Sequence, residues 1–204
     1  MEHKGIYNRG YLPHRDVPGS LQGITFRLAD SVPKPLITKW KTELSELLDS
    51  PDQRIASGAA ERLRKLIARH EDSGYGACVL AKASVSKIVQ DTLIAGDGER
   101  YDLLEWCIMP NHVHVLIRIQ SEHPLSAIVQ QWKGGSSMKI NRTLGRTGTL
   151  WEKDYFDRAI RDEKHFFQAR SYIRNNPVKA GLCSEPKAWP CSSAGIDWPR
   201  VRGL

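Results

Sequence analysis

The stretch from Met109 to Ile119 reads MPNHVHVLIRI, and it constrains the fold more than any other part of the sequence. Pro110 and Asn111 are typical of a turn, and the apolar, β-branched run after them is typical of a buried strand. Because alternate residues of a strand face the same side of a sheet, His112 and His114 are predicted to project side by side. Two parallel imidazoles form half of a divalent-metal site, although an isolated His-x-His pair is more often structural.

The composition is that of a soluble globular protein of one domain, with 204 residues of which 40% are hydrophobic and 26% charged. The 30 Lys and Arg residues outnumber the 23 Asp and Glu residues, and the net charge of +7 favours a polyanionic partner, nucleic acid first and a membrane surface second. The 4 cysteines include no Cys-x-x-Cys pair, which argues against a zinc cluster and fits a reducing cytoplasm. The sequence opens without an apolar signal region and has no run near the roughly 20 apolar residues of a membrane span, so we predict a cytoplasmic protein.

Hydrophobic periodicity and breaker residues predict the order of the other elements. Strands are expected at 21–28, 101–109 and 149–160, and the second of these forms an antiparallel hairpin with the His-x-His strand. Helices are expected at 36–70 with a break at Ser50-Pro51, at 77–95, at 124–144 with an interruption at Gly134-Gly135, and at 162–176 with a stop at Pro177.

This alternation of strands and helices predicts a single α+β domain over 1–204, built as a sheet with helices packed on it. Three segments are expected to lie outside the sheet and its helices. They are a basic N-terminal arm at 1–20, a helical insertion at 36–96 and a C-terminal tail at 183–204.

Tyr172 and Asn176 form a second polar pair on the last predicted helix, where residues four apart share one face. His165 and Gln168 extend this polar stripe. A phenol has a pKa of about 10 and is a poor nucleophile until it is activated, after which it can attack a phosphodiester and hold it as a phosphotyrosine. A divalent ion on the histidines would polarise that phosphate, and Asn176 could supply a third ligand through oxygen. Each residue alone has a simpler interpretation, as a packing tyrosine or a helix-end asparagine.

Several segments of the chain match motifs that occur together in one family. They are Tyr11–His14, Phe26–Asp30, Met109–Leu116, Leu150–Glu152 with Tyr155–Ile160, and Tyr172–Leu182. In this order they resemble the single-tyrosine HUH transposases, and specifically the REP-associated tyrosine transposases, which have an IS200-like transposase domain. The segment from about 38 to 100 contains no motif of this family and is similar to it only in length and helical character.

The resemblance implies a compact α+β fold with a central antiparallel sheet, similar to an RRM-like arrangement. It implies cleavage and rejoining of single-stranded DNA at hairpin-containing, REP-like repeats through a phosphotyrosine, with Mg²⁺ or Mn²⁺ as the cofactor. His112 and His114 match the metal ligands and Tyr172 matches the nucleophile. Asn176 matches the third ligand, at a position that is often Gln in related transposases. The implied protein is a monomer or homodimer associated with the nucleoid, without a membrane partner.

DNA binding is expected to use basic residues for phosphate contacts and aromatic residues for base stacking. The predicted phosphate contacts are Arg9, His14, Arg15, Lys133, Arg142, Arg146, Arg158, Arg200 and Arg202. Two other functions remain open on the same residues. One is a nucleic-acid-binding protein of this fold that does not cleave, and the other is a metal-dependent hydrolase that uses water as the nucleophile and forms no protein–DNA adduct.

Overall fold

A computed structural model of the chain describes residues 3, 5–9, 12–120, 122–196 and 198. In this part of the chain the strands are β1 (Gly5–Arg9), β2 (Leu12–Asp16), β3 (Leu21–Arg27), β4 (Tyr101–Ile108), β5 (His112–Ile119) and β6 (Phe156–Ala159). The helices are α1 (Lys34–Leu48), α2 (Gln53–Asp72), α3 (Ala83–Ile94), α4 (Leu125–Thr143) and α5 (Glu163–Lys179). No helix among the described residues is long and apolar enough to cross a bilayer.

The main sheet has the strand order β4-β5-β3-β6, and every neighbouring pair is antiparallel. Its inner strand β5 carries the His-x-His motif, and His114 pairs with Thr25 of β3 on one side and with Cys107 of β4 on the other. β1 and β2 form a separate antiparallel hairpin. The predicted α+β fold, a central antiparallel sheet with helices packed on it, is therefore confirmed.

The two faces of the sheet pack against different helices. One face forms the main core with α3 and α4, and its β5 residues are Val113, Val115 and Ile117. On the other face Leu116 packs in a smaller apolar cluster with Ile173 of α5. His112 and His114 alternate with the valines and so share the face of Leu116, which directs both imidazoles towards α5.

Helices α1 and α2 form a hairpin with an apolar cluster of its own, in which the buried residues are Val32, Leu44, Leu63 and Ile67. Helix α3 differs, because its buried residues belong to the main core, and these are Val85, Val89 and Leu93. Within the predicted insertion at 36–96, only α1 and α2 therefore form a separate helical unit.

The α1–α2 hairpin is held over β3 and β6 by the second half of α2. The guanidinium of Arg64 lies 4.8 Å from the centre of the Phe156 ring. Arg27 of β3 lies 3.5 Å from Glu71 and 3.1 Å from Glu152, measured between the nearest charged atoms. Burial raises the pKa of Glu71 to about 8, and the positive charge of Arg27 opposes this shift. Phe156 pairs with Thr25 and Thr25 pairs with His114, so these three side chains share one face of the sheet. Helix α2 therefore covers the face that carries the histidines.

Two predicted helix breaks are absent, because packing outweighs local propensity. Helix α4 runs through Gly134 and Gly135 without interruption, with buried Trp132 before them and buried Ile140 after them. Each glycine costs about 1 kcal/mol relative to alanine, which this burial offsets. Helix α5 likewise continues through Pro177 to its end at Lys179.

The predicted strand at 149–160 is shorter in the structure, where β6 covers only four residues. Lys133 explains the difference, because its ammonium donates to the carbonyls of Glu152, Lys153 and Asp154 at 3.0, 3.3 and 2.8 Å. Those carbonyls are turned away from the strand ladder. The predicted N-terminal arm at 1–20 also differs, since its described residues include the β1–β2 hairpin.

We expect Tyr101→Phe to lower the free energy of unfolding by about 1–3 kcal/mol, because it removes a buried hydroxyl with two partners. The Tyr101 hydroxyl donates to the carbonyl of Leu93 at 2.5 Å and accepts from the indole of Trp132 at 2.8 Å. Urea denaturation measures the loss. Tyr75 has a 49% exposed side chain, so Tyr75→Phe should stay within about 0.5 kcal/mol of the wild type. Equal losses of unfolding free energy in the two variants would contradict the stabilising role of the Tyr101 hydroxyl.

Candidate metal centre and nucleophile

The two histidines of β5 are buried, with relative exposures of 1% for His112 and 5% for His114. Their Nε2 atoms face each other at 2.9 Å. Burial holds the pKa of His112 well below its usual range and lowers that of His114 to about 3. Both imidazoles are therefore neutral at physiological pH, which is the form that binds metals.

The hydrogen bonds of Asn111 determine which nitrogen of His112 carries the proton. The Asn111 amide nitrogen donates to the backbone carbonyls of Glu71 and Tyr75 at 3.0 and 2.9 Å. Its oxygen then faces Nδ1 of His112 at 2.7 Å and can only accept. The proton of neutral His112 is therefore on Nδ1, and Nε2 presents a lone pair to the site.

His114 is held by one neighbour on β3 and one on α5. Its Nδ1 lies 2.8 Å from the hydroxyl of Thr25, and its Nε2 lies 2.6 Å from the side-chain amide of Asn176. Asn176 is buried on α5 four residues after Tyr172. Strand β3 therefore fixes the orientation of this imidazole, and α5 brings a third polar group to the same point.

Tyr172 lies at the edge of this cluster rather than in the core. Its ring centre is 5.4 Å from that of His114 at an interplanar angle of 80°, and the residue is 39% exposed. Burial of its hydroxyl and the negative charge of Asp72 raise the pKa of Tyr172, whereas a hydrogen bond with Asn176 lowers it. The ammonium of Lys179 lies 5.1 Å from the centre of the ring. The phenol is therefore accessible to an incoming phosphate and lies next to a positive charge.

The donor atoms fit a divalent ion. The 2.9 Å separation of the two Nε2 atoms matches the spacing of about 3 Å between adjacent ligands around an ion with bonds of about 2.1 Å. The amide of Asn176 can present its oxygen by turning over, because the two ends of an amide occupy the same space. No group of three or more His, Cys, Asp or Glu residues with metal-site geometry occurs in the described chain. The donor set is instead two imidazoles and an amide.

A cleft of about 470 Å³ opens beside these residues, between α2 and α5 and over β3 and β6. His114 and Tyr172 line it together with Thr25. Its walls carry both cationic side chains and carboxylates. The cations include Arg64, Lys65, Arg69 and Arg158, and the carboxylates are Glu71, Asp72, Glu152 and Asp154. The cleft therefore leads to the phenol and the imidazoles along walls of mixed charge.

The residues predicted to contact DNA separate into four groups. Arg158 lines the cleft, whereas the three donors of Lys133 are used by backbone carbonyls, so we leave Lys133 out of the proposed DNA contacts. Arg142 lies in the last turn of α4 and Arg146 in the loop after it, and neither is among the residues of the cleft. The remaining predicted contacts lie outside the described residues or have side chains that are not described, and they are Arg9, His14, Arg15, Arg200 and Arg202.

Four groups of the site were missed by the sequence analysis. Thr25, Arg64, Asn111 and Asp72 all contribute side chains here. The basic face of α2 is visible in the sequence as arginines and lysines at helical spacing. Thr25 and Asp72 have no such signal, because only strand pairing and the docking of α2 bring them to the histidines. Asn111 directly precedes His112, but in the sequence it is typical only of a turn.

Comparison with known proteins gives a family match for part of the chain. Residues 80–176 match the family model described as "Transposase IS200 like". The comparisons therefore confirm the resemblance to IS200-like, REP-associated tyrosine transposases that the motifs predict.

Individual relatives give the same result. The chain is 29% identical over 103 residues to a Haemophilus influenzae protein named as a REP-associated tyrosine transposase, covering 46% of this chain and 58% of that one. It is 27% identical over 96 residues to an uncharacterized protein of the same organism, covering 36% and 53%. The chain thus spans little more than half the length of these curated relatives.

The fold is similar to a solved structure of a REP-associated tyrosine transposase bound to a REP hairpin. The TM-score is 0.55 at 16% sequence identity, and the match covers 97% of this chain and 87% of that one. At this identity the similarity concerns the fold.

We expect Thr25→Val to weaken Mn²⁺ binding about 10–100-fold, because it removes the hydrogen bond that orients His114 while keeping the shape of the side chain. Isothermal titration calorimetry on the protein without DNA measures the dissociation constant. Thr38→Val is the matched control, since the Thr38 hydroxyl bonds only within α1, to the Lys34 carbonyl. Unchanged Mn²⁺ affinity in Thr25→Val would exclude this role for the hydroxyl.

Proposed function

We propose that the protein is a transposase that cleaves and rejoins single-stranded DNA at hairpin-containing, REP-like repeats, with Tyr172 as the nucleophile. The observation that carries the proposal is the position of Tyr172, whose ring centre lies 5.4 Å from that of His114 while 39% of the residue stays exposed. A phenol that only packed in the core would not lie between two neutral imidazoles and an open cleft. The family match over residues 80–176 supports the same function.

In the proposed reaction the Tyr172 oxygen attacks a phosphorus of the DNA strand. A phosphorus–oxygen bond to the phenol forms, and the bond from phosphorus to the 3′-oxygen breaks. The phenol loses its proton and the departing 3′-hydroxyl carries one, so the products are a 5′-phosphotyrosine and a free 3′ end. The ester keeps the energy of the broken bond, and a 3′-hydroxyl can reverse the step and join strands without ATP.

The residues around Tyr172 have distinct roles in this proposal. His112, His114 and Asn176 would hold Mg²⁺ or Mn²⁺, which as a Lewis acid would withdraw charge from the phosphate. The positive charge of Arg64 lowers the pKa of Tyr172 and would stabilise negative charge that develops at the phenol oxygen. The ammonium of Lys179 lies over the Tyr172 ring, 5.1 Å from its centre. Asn176 also hydrogen-bonds the phenol and lowers its pKa, which partly offsets the effect of burial.

The proposed DNA path is the cleft between α2 and α5. A single strand fits this path because cationic side chains line it, and the wall also includes the aromatic rings of Tyr155 and Phe156. The hairpin is proposed as the partner because the similar solved structure is bound to a REP hairpin. A protein with such a partner acts at the nucleoid, in the cytoplasm.

We expect Tyr172→Phe to form no covalent adduct with a hairpin oligonucleotide, because the attacking oxygen is gone. Denaturing gel electrophoresis of a strand radiolabelled on the 3′ side of the cleavage point detects the adduct, because that fragment stays on the tyrosine. Tyr75→Phe is the matched control that should form the adduct normally. EDTA should abolish cleavage by the wild type, and Mn²⁺ should restore it. An adduct in Tyr172→Phe would end the assignment, and cleavage without an adduct in the wild type would favour a hydrolase that uses water.

We expect Arg158→Gln to weaken binding of single-stranded DNA and to reduce the slope of log affinity against log salt by about 0.7, the value for one lost phosphate contact. Arg158 is exposed on β6 and lines the cleft. Arg146→Gln removes the same charge outside the cleft and should leave the slope unchanged. Fluorescence anisotropy at several salt concentrations gives both slopes. Equal slopes for the two variants would place the DNA elsewhere.

A further inference from the structure

The last residue of α2, Asp72, reaches the histidine cluster from the α1–α2 hairpin. Its carboxylate oxygen Oδ1 lies 3.8 Å from Nε2 of His112, and its side chain is 44% exposed. Asp72 also lines the cleft together with His114 and Tyr172. The separate helical unit therefore contributes a charged group to a site whose other members come from β5 and α5.

The position of Asp72 is fixed from both sides. The amide of Asn111 donates to the carbonyl of Glu71, the preceding residue, and to the carbonyl of Tyr75, three residues further on. The side chain of Glu71 faces Arg27 of β3 at 3.5 Å. Because the same Asn111 accepts from His112, the end of α2 and the imidazole form one rigid arrangement.

The contact of Asp72 with His112 is not an ion pair. His112 holds its proton on Nδ1, where Asn111 accepts it, so Nε2 presents a lone pair to the carboxylate. Burial raises the pKa of the Asp72 carboxyl, and the positive charge of Lys179 lowers it without a direct ion pair among the described residues. The carboxylate and the Nε2 lone pair face each other at 3.8 Å without a proton between them, so one cation can bind to both.

The remaining donors also leave a divalent cation short of negative charge. Two neutral imidazoles and one amide contribute no charge, whereas Mg²⁺ and Mn²⁺ prefer carboxylate oxygens. The C-terminal end of α2 adds only the partial negative charge of its last carbonyls. The Asp72 carboxylate, 3.8 Å from Nε2 of His112, supplies this charge when its half-exposed side chain turns towards the ion. That movement is needed because no three His, Cys, Asp or Glu residues of the described chain are already grouped as a metal site.

We infer that Asp72 is a further ligand of the divalent metal ion, so that the α1–α2 hairpin completes the metal site that β5 and α5 begin. This inference rests on the metal dependence in the proposed function. It assigns the helical hairpin a role at the reaction centre, in addition to its place as one wall of the cleft.

The test is calorimetric titration of the full chain with Mn²⁺, Mg²⁺ and Zn²⁺ in the absence of DNA. Asp72→Asn should raise the dissociation constants for Mn²⁺ and Mg²⁺ about 10-fold or more, with a smaller change for Zn²⁺, which binds well to imidazole alone. Asp49→Asn is the matched control, because Asp49 is an exposed acid at the end of α1 in the same hairpin. It should bind all three ions like the wild type.

The thermal midpoint of each variant without metal separates a ligand role from a structural one. The inference stands if Asp72→Asn keeps the wild-type midpoint and loses affinity mainly for Mn²⁺ and Mg²⁺. It is overturned if the affinities match those of the wild type, or if all three ions are weakened equally together with a lower midpoint. The wild type could form the adduct in a metal-dependent way while Asp72→Asn binds Mn²⁺ with unchanged affinity. That result would reject this inference and leave the proposed function intact.

Discussion

The side chain of Asn111 makes the hydrogen bonds on which the rest of the site depends. Its nitrogen donates to two carbonyls at the end of α2, and its oxygen accepts from Nδ1 of His112. The nitrogen and the oxygen of this amide cannot exchange places. The two backbone carbonyls can only accept a hydrogen bond, and the proton on Nδ1 of the imidazole needs an acceptor. One side chain therefore sets the tautomer of a candidate metal ligand and attaches the α1–α2 hairpin to the sheet.

The sheet supplies the rigidity that this arrangement requires. β5 is paired on both sides over its whole length, and its residues other than Arg118 are buried, so the histidines cannot swing out of the site. β3 adds Thr25 beside His114 and Arg27 beside Glu71. The proposed nucleophile, Tyr172, comes instead from a helix and remains 39% exposed, which leaves room for a substrate. Fixed ligands and an accessible phenol are what phosphoryl transfer by a protein nucleophile needs.

The α1–α2 hairpin changes the shape of the site without entering the main core. It has its own apolar cluster and meets the sheet through Arg64 at Phe156 and through the ionic group of Arg27 and Glu71. It turns the open face of the sheet beside α5 into a cleft with two walls. Basic residues of α2 then line the path that we propose for DNA, and Lys65 and Arg69 among them also remain exposed to solvent.

Local sequence patterns determined the sheet, the helices and the pair of histidines, because periods of two and of about 3.6 residues are visible in one chain segment at a time. The pairing of Tyr172 with Asn176 is visible for the same reason. Tertiary structure alone decided that Pro177 and Gly134 lie inside helices, because distant packing offsets their local cost. Tertiary structure also brought Asp72 to His112, 40 residues away, and Lys133 to the loop before β6, 20 residues away. Contacts over such separations depend on how the helices dock, so they produce no periodic pattern in the sequence.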